Sequence, residues 1–140
     1  MKFFNEMTLT VKAVSQNESF ARSVVAGFFA QLNPTVEEVD DLKTVVSEAV
    51  TNSIVHGYDN THGKIDVWAG LAEDCIHVKI IDYGRGIEDV TKAMQPFFTT
   101  GEERSGMGFT VMDAFSDSLE VTSKKGFTCV YVVKHLRGEK

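Results

Sequence analysis

Three polar side chains recur at helical spacing within one short stretch, and their types suit proton transfer and cation binding. Glu48, Asn52 and His56 are four residues apart, so on an α-helix they drift by only about 80° and form one polar ridge. A carboxylate can accept a proton, an amide oxygen can bind a hard cation, and an imidazole can donate to a phosphate. An ordinary solvated helix face would give the same pattern, so both interpretations stay open at this point.

A second group is the segment D-Y-G-R-G-I, Asp82 to Ile87, which follows a strand-like run. Asp82 continues the inward-facing alternation of that run, so its carboxylate is expected to point toward the core. A buried carboxylate needs hydrogen-bond donors, and a ligand with an amino group, such as adenine, could supply one. Gly84 and Gly86 carry no side chains where a flat ligand could lie against the backbone. A tight turn capped by Asp82 is the alternative.

The third group is the segment R-S-G-M-G-F, Arg104 to Phe109, at the start of a predicted helix. Glycines at a helix N-terminus expose backbone N–H groups and the positive end of the helix dipole, which together attract anions. Arg104 adds a charge that does not titrate away. Neither familiar phosphate-binding motif fits. The chain has no G-x-x-x-x-G-K-[ST] segment, and the G-x-G of Gly106 and Gly108 is followed by Val111 where the dinucleotide-binding motif G-x-G-x-x-G has a third glycine. A plain helix-initiating turn is the alternative.

The elements that position these groups follow from the hydrophobic periods, which predict the order β-α-α-β-β-α-loop-α-β-β. Strands are predicted over residues 7–14, 65–71, 76–80, 119–123 and 127–134. Helices are predicted after an N-cap at Asn17, after a Thr35–Glu38 capping box, from about 88 to 95 and over 107–115, with a mobile loop over 96–105. Strands joined by a few residues are antiparallel, so we expect a two-layer α/β (α+β) sandwich. Its sheet would be mixed, mostly antiparallel, with the helices on one face, in a single domain over 1–140.

Composition narrows the classes of function. The chain of 140 residues has 14 Lys+Arg against 20 Asp+Glu, a net charge of −6, whereas small domains that bind DNA or RNA directly usually carry a basic excess. The longest uncharged stretch, 23–36, is too short for a membrane span, and no secretory signal is recognisable. Cys75 and Cys129 lack a metal-binding or redox spacing and are interpreted as reduced core thiols. We therefore expect a cytoplasmic protein without direct nucleic-acid or membrane binding.

In this order, the three groups resemble the Bergerat (GHKL) ATP-binding fold of gyrase, Hsp90, histidine kinases and MutL. Four segments make the chain similar to the small serine-kinase anti-sigma factors, above all those of sporulation: SQNESFAR (15–22), KTVVSEAVTNSIVHGY (43–58), PFFTT (96–100) and ERSGMGFTVM (103–112). The resemblance runs from about Asn5 to Leu136. It implies a homodimeric protein serine kinase that uses ATP and Mg2+. Its implied partners are a sigma factor, expected to be sigma F, which it inhibits, and an anti-anti-sigma factor, which it phosphorylates.

The resemblance also implies a role for each residue of the motifs. Glu48 would be the base that activates the attacking hydroxyl, Asn52 would coordinate Mg2+, and His56 would lie near the nucleotide. Asp82 would accept a hydrogen bond from the adenine amino group. The other implied nucleotide contacts are Gly84, Gly86 and Ile87 at the base, Thr128 closing the adenine pocket, and Arg104, Ser105, Gly106, Met107, Gly108 and Phe109 around the phosphates.

Some features leave the function open within this family. The segment T-T-G-E-E-R-S-G is shorter than the T-T-K-P-x-x-E-R-S-G form of close relatives and lacks its lysine, and Tyr83 stands where an acidic residue is common. Asn17, Glu18 and Arg22 are expected to form a partner-binding edge on the first helix. A general-stress-type kinase for another sigma factor, and an ATP-dependent binding module without significant kinase activity, remain the alternatives.

Overall fold

The computed structural model describes residues 2–58, 62–87 and 108–137, which form five strands and three α-helices. The elements are β1 (Asn5–Lys12), α1 (Gln16–Phe29), α2 (Val36–Asn52), β2 (Lys64–Leu71), β3 (Cys75–Asp82), α3 (Gly108–Ala114), β4 (Ser118–Lys124) and β5 (Phe127–His135). A 3-10 turn, Ala30–Leu32, follows α1, and a π-helical turn, Ser53–Gly57, follows α2. The predicted helix over 88–95 and the predicted loop over 96–105 lie outside the described residues. None of these helices is both long and apolar enough to cross a membrane.

The strands form one sheet in the order β1-β2-β3-β5-β4. The predicted two-layer architecture and both predicted hairpins, β2–β3 and β4–β5, are confirmed. The sheet is not mixed, however, because every pairing among the described strands is antiparallel. The reason is that β5, rather than β4, lies beside β3. The β3–β5 register aligns Asp82 with Thr128 at one end and Cys75 with His135 at the other.

Helices α1 and α2 pack on one face of this sheet. Alternate strand residues and the apolar stripes of the helices form one core cluster, which includes Val25, Phe29, Val46, Val50, Val67, Val78, Ile80, Met112, Val130 and Val132. Helix α1 buries Ala21, Val25 and Phe29, whereas Phe20 is 50% exposed. The N-cap of α1 differs from the prediction. Ser15 is at the N-cap position, and the Asn17 side chain instead donates to the Lys12 carbonyl at 2.9 Å.

The start of α2 is fixed both locally and by the end of the sheet. The predicted capping box is confirmed: Thr35 Oγ1 accepts from the Glu38 N–H at 3.1 Å, and Glu38 Oε1 accepts from the Thr35 N–H at 2.8 Å. Lys134 on β5 forms an ion pair with Asp41 at 3.2 Å, and the Arg137 N–H donates to Glu38. These contacts hold the first turns of α2 against the C-terminal end of β5.

Candidate functional site

Asp82, the last residue of β3, is a buried carboxylate held by two donors. It is only 3% exposed, which confirms the inward orientation predicted from alternation. The Ser53 hydroxyl donates to Oδ2 at 2.8 Å, and the Gly84 N–H donates to Oδ1 at 3.0 Å. Burial raises the pKa of Asp82 above its ordinary value, and these two hydrogen bonds partly offset that rise. A carboxylate has about four acceptor positions, so Asp82 retains capacity for a further donor.

Glycines allow the backbone to close around this carboxylate. A Cβ on Gly57 would lie 2.9 Å from Asp82 Oδ1, and a Cβ on Gly84 would lie 2.1 Å from the Gly57 carbonyl oxygen. Gly86 has a φ of +84°, and a Cβ there would lie 2.2 Å from the Lys124 carbonyl oxygen. Main chain therefore lies where a Cβ on Gly84 or Gly86 would project, and contact of a flat ligand with the backbone at these glycines stays a prediction.

The polar ridge of α2 holds for two of its three predicted members. Glu48 and Asn52 are half-buried residues of regular α-helix, but His56 lies in the π-helical turn. The α-helical step that defined the ridge therefore does not extend to His56, whose carbonyl accepts a hydrogen bond from Arg85 Nε at 2.6 Å. Single π-helical turns within helices are frequent at functional sites. Here Ser53, the first residue of the turn, is the one that bonds Asp82.

The first residue of α3 lies against α2. A Cβ on Gly108 would be 3.0 Å from Asn52 Nδ2 and 3.2 Å from its Oδ1, so the start of α3 and the Asn52 amide are immediate neighbours. Phe109 is half-buried against the core. The remaining predicted phosphate contacts, Arg104, Ser105, Gly106 and Met107, lie outside the described residues. Within the described part, the first and third sequence motifs therefore meet at Asn52 and Gly108.

Thr128 lies beside Asp82 on the neighbouring strand. The two residues are partners in the β3–β5 ladder, and Thr128 is only 6% exposed, so its side chain points inward. Its hydroxyl is hydrogen-bonded to Ser123 Oγ at 2.6 Å, and the Ile87 N–H donates to the same Ser123 oxygen at 2.7 Å. Ser123 thus brings Ile87 and Thr128 together next to Asp82.

Tyr83 belongs to the opposite, outer side of the sheet. It is 51% exposed, its hydroxyl donates to Asp66 Oδ2 at 2.6 Å, and its N–H donates to the Tyr58 hydroxyl oxygen at 2.8 Å. Hydrogen bonds from Thr10 and Tyr83 hold the pKa of Asp66 below its ordinary value. Tyr83, which stands where an acidic residue is common, therefore lies on the opposite side of the sheet from the carboxylate of Asp82.

The predicted partner edge of α1 borders a groove that reaches Glu48. The groove has a volume of about 470 Å³ and is lined by Arg22, Asp40, Lys43, Thr44, Ser47 and Glu48. The Ser47 hydroxyl donates to Glu18 and accepts from Arg22 Nη1 at 3.2 Å, and Arg22 also forms an ion pair with Glu18 at 3.3 Å. Glu18 and Arg22 are therefore ordered at the rim of the groove that contains Glu48.

Three serines that lie among these residues, Ser47, Ser53 and Ser123, were not predicted from the sequence to belong to the site. Ser53 had a recognisable signal, since it continues the apolar stripe of α2 after Val46 and Val50, and a core-facing hydroxyl needs a partner. Ser47 and Ser123 gave no such signal, because their partners on other elements become neighbours only in the fold.

Comparison with known proteins gives matches along almost the whole chain. Residues 11–134 match the Histidine kinase-like ATPase domain family. The anti-sigma F factor of Thermoanaerobacter sp. (strain X514) is 54% identical and covers 100% of both chains. That of Caldanaerobacter subterraneus subsp. tengcongensis is 55% identical over 97% of both, and that of Lysinibacillus sphaericus is 53% identical over 93% of this chain and 92% of its own.

Solved structures show the same fold at low identity. A Mycobacterium tuberculosis protein with RsbU and RsbW domains matches with a TM-score of 0.70 at 21% identity, over 94% of this chain and 32% of its own. The mycobacterial sensor histidine kinase MprB matches with a TM-score of 0.57 at 17% identity, over 72% of this chain and 76% of its own. The two-layer fold of this chain is therefore shared with these two proteins.

Proposed function

We propose that this chain is an ATP-dependent protein serine kinase and anti-sigma factor. The basis is that it belongs to the anti-sigma F factor family and carries a histidine kinase-like ATPase domain. It would bind and inhibit a sigma factor, with sigma F indicated by the name of its relatives. It would also phosphorylate a serine of an anti-anti-sigma factor, and act as a homodimer. The main structural support for a nucleotide site is the buried Asp82 carboxylate with its two hydrogen-bond donors.

Asp82 would recognise the base. The exocyclic amino group of adenine donates hydrogen bonds, and a buried carboxylate accepts them, whereas guanine presents a carbonyl oxygen at the corresponding ring position. Ser53 and Gly84 orient the carboxylate, while Thr128 and Ile87 border the same end of the sheet. A single hydrogen bond to a charged group contributes about 1.5–3 kcal/mol, which is enough to select among bases.

Asn52 would hold the metal at the phosphate end. Its amide oxygen is a suitable ligand for Mg2+, and the carboxylate of Glu48 lies one helical turn away. The start of α3, next to Asn52, would direct backbone N–H groups at the phosphates, with Arg104 and the segment that precedes Gly108 contributing further contacts. The donor fits the metal because Mg2+ prefers oxygen ligands. Bound Mg2+ would neutralise charge on the phosphates.

Glu48 would act as the base. It lies on the same helix as Asn52 and lines the groove that begins at Arg22, along which a protein substrate could reach it. As the serine oxygen forms its bond to the γ-phosphorus and the bond to ADP breaks, the carboxylate would take the hydroxyl proton. A shared groove would also explain how one surface serves both a sigma factor and a phosphorylated partner.

Phosphate transfer from MgATP to a purified anti-anti-sigma protein tests this proposal. Glu48→Gln is expected to lower the transfer rate by about 10²–10⁴-fold, the usual contribution of a general base, with little change in ADP affinity. Glu73→Gln, in the exposed β2–β3 turn, is the matched control and should transfer at the wild-type rate. Equal rates for Glu48→Gln and wild type would remove Glu48 from the mechanism. A wild-type protein that captures a sigma factor with ATP but transfers no phosphate would replace the kinase with a binding module.

A further inference from the structure

The end of β3 opposite to Asp82 carries a cluster of metal-ligating side chains that the proposed function does not use. Asp74, Cys75 and His135 each offer one donor atom, and these three atoms all lie within 4.8 Å of one another. Cys75 and Asp82 are the first and last residues of β3, so at about 3.3 Å per residue their backbone positions are about 23 Å apart along the strand. The cluster is therefore separate from the proposed nucleotide site.

Backbone pairing brings the three residues together. Cys75 and His135 are direct partners in the β3–β5 ladder, so their side chains leave the same face of the sheet with Cβ atoms about 4.5–5.5 Å apart. Asp74 precedes Cys75 in the β2–β3 turn, and its carbonyl accepts from the Leu136 N–H at 2.8 Å. The turn and the end of β5 are thus held side by side without any help from a ligand.

The cluster combines one buried donor residue with two exposed ones. Cys75 is only 2% exposed, whereas Asp74 and His135 are exposed. An ion from solvent can therefore reach the carboxylate and the imidazole first, and the sulfur is the least accessible of the three donors. The backbone of His135 is itself fixed, because its N–H donates to Asp117 Oδ2 at 2.7 Å.

We propose that Asp74, Cys75 and His135 bind one divalent transition-metal ion, and that Zn2+ is the best match to this set of donors. One sulfur, one nitrogen and one oxygen ligand suit Zn2+ and disfavour Mg2+ and Ca2+, which prefer oxygen. Around a tetrahedral zinc ion the donor atoms would be about 3.5 Å apart, so no pair of donors, all of which lie within 4.8 Å of one another, would have to approach by more than about 1.3 Å. A water molecule would take the fourth position.

Binding requires the thiolate form of Cys75. The zinc–sulfur bond forms as the S–H bond breaks, and the proton is released to solvent. The bound ion would link the β2–β3 turn to the C-terminal end of β5 and would stabilise the folded state by mass action. Neither nucleotide binding nor kinase activity is needed for this, so the metal site and the proposed function can fail independently.

Titration of the untagged protein with Co2+, a spectroscopic substitute for Zn2+, tests the proposal. We expect one equivalent of Co2+ to give a thiolate-to-cobalt charge-transfer band that Zn2+ abolishes and Mg2+ does not. Cys75→Ser should lose the band, and Cys129→Ser, the matched control, should keep it. Because Cys75 is buried, Asp74→Asn and His135→Gln provide a second test at exposed positions. Loss of an outer-shell partner alone costs about 10–100-fold in affinity, so each should weaken binding at least about tenfold.

A thermal readout separates this site from metal bound elsewhere. Zn2+ is expected to raise the unfolding midpoint of the wild type and of Cys129→Ser, but not that of His135→Gln, with ADP affinity equal in all three. The proposal is overturned if the wild type shows no cobalt–thiolate band. It is also overturned if the band survives in Cys75→Ser, or if all variants bind Zn2+ equally.

Discussion

The hydroxyl of Ser53 donates a 2.8 Å hydrogen bond to the carboxylate of Asp82, which joins the end of α2 to the end of β3. Asn52, the proposed metal ligand, immediately precedes Ser53 in the chain. A single peptide unit therefore separates the residue that would bind the metal from the residue that orients the proposed base-binding carboxylate. Because α2 supports both ends of the proposed site, substitutions along it should separate nucleotide binding from phosphate transfer.

Asp82→Asn is expected to weaken ADP binding by about 10–100-fold, because a hydrogen bond to a charged acceptor contributes about 1.5–3 kcal/mol. Isothermal titration with ADP measures the effect. Asp66→Asn removes a carboxylate on the outer side of the sheet and should leave the affinity unchanged. Wild-type affinity in Asp82→Asn would show that the base does not contact this carboxylate.

The free energy of unfolding of the nucleotide-free protein should depend on pH through the titration of Asp82. Burial raises the pKa of this carboxyl above its ordinary value of 3.8, so its ionisation opposes folding. Its favourable contribution is fully present below the ordinary pKa and is lost as the pH rises through the folded-state pKa. The free energy of unfolding of the wild type minus that of Asp82→Asn should therefore fall as the pH rises from below the ordinary pKa through the raised pKa of the folded state. Urea unfolding at several pH values measures this difference, and a rise with pH would contradict the assignment.

Two glycine substitutions should have opposite effects on stability. In Gly84→Ala the new Cβ would lie 2.1 Å from the Gly57 carbonyl oxygen, so main chain must move and the loss should exceed about 2 kcal/mol. In Gly27→Ala, within α1, the Cβ would meet nothing within 4 Å, and helix propensity predicts a gain of about 0.5–1 kcal/mol. Urea unfolding compares the two, and a Gly84→Ala protein as stable as the wild type would disprove the close approach.

Arg22→Glu is expected to weaken sigma-factor capture while ADP affinity stays at the wild-type value, because Arg22 lines the groove rather than the surroundings of Asp82. The substitution also places a second acid beside Glu18. Arg22→Gln, which removes the charge without adding repulsion, is therefore the companion variant. Surface-plasmon-resonance binding of the sigma factor in the presence of ATP measures both, and unchanged binding in the two variants would place the partner elsewhere.

Thr35→Ala should destabilise the protein by about 1 kcal/mol, because it removes the side-chain half of the capping box at the start of α2. Thr44→Ala serves as the control, since the Thr44 hydroxyl only bonds back to the Asp40 carbonyl within the same helix. Chemical unfolding of the two variants should differ by most of this amount. Equal stabilities would mean that contacts of α2 with β5 alone fix the start of the helix.

Local patterns in the sequence predicted most of the elements and part of the site. Alternation gave the strands and the inward orientation of Asp82, and the Thr35–Glu38 spacing gave the start of α2. The N-cap of α1 was misplaced because Asn17 and Ser15 are both good capping residues, and the contact of Asn17 with the Lys12 carbonyl depends on the preceding strand. Errors of this kind are confined to single turns.

Long-range pairing accounts for what the sequence could not predict. Nothing local shows that β5 rather than β4 lies beside β3, and that pairing makes the sheet wholly antiparallel. The same pairing brings Asp74 and Cys75 to His135, which no rule based on ligand spacing along the chain would find. The glycines of the second motif were singled out for contact with a flat ligand, and the close approach of main chain at Gly57 and Lys124, which also requires glycine there, could not be seen from the sequence.

The β3–β5 ladder also has a kinetic consequence. The β2–β3 and β4–β5 hairpins close over short turns, whereas β3 and β5 must meet across a long segment that includes α3. Pairings that are remote along the chain lose loop entropy before they gain contacts, and they slow folding. Asp82 and Thr128 are partners in this ladder, which we expect to form late in folding. A nucleotide that contacts both residues would hold the two strands together, so the complex should unfold more slowly than the free chain.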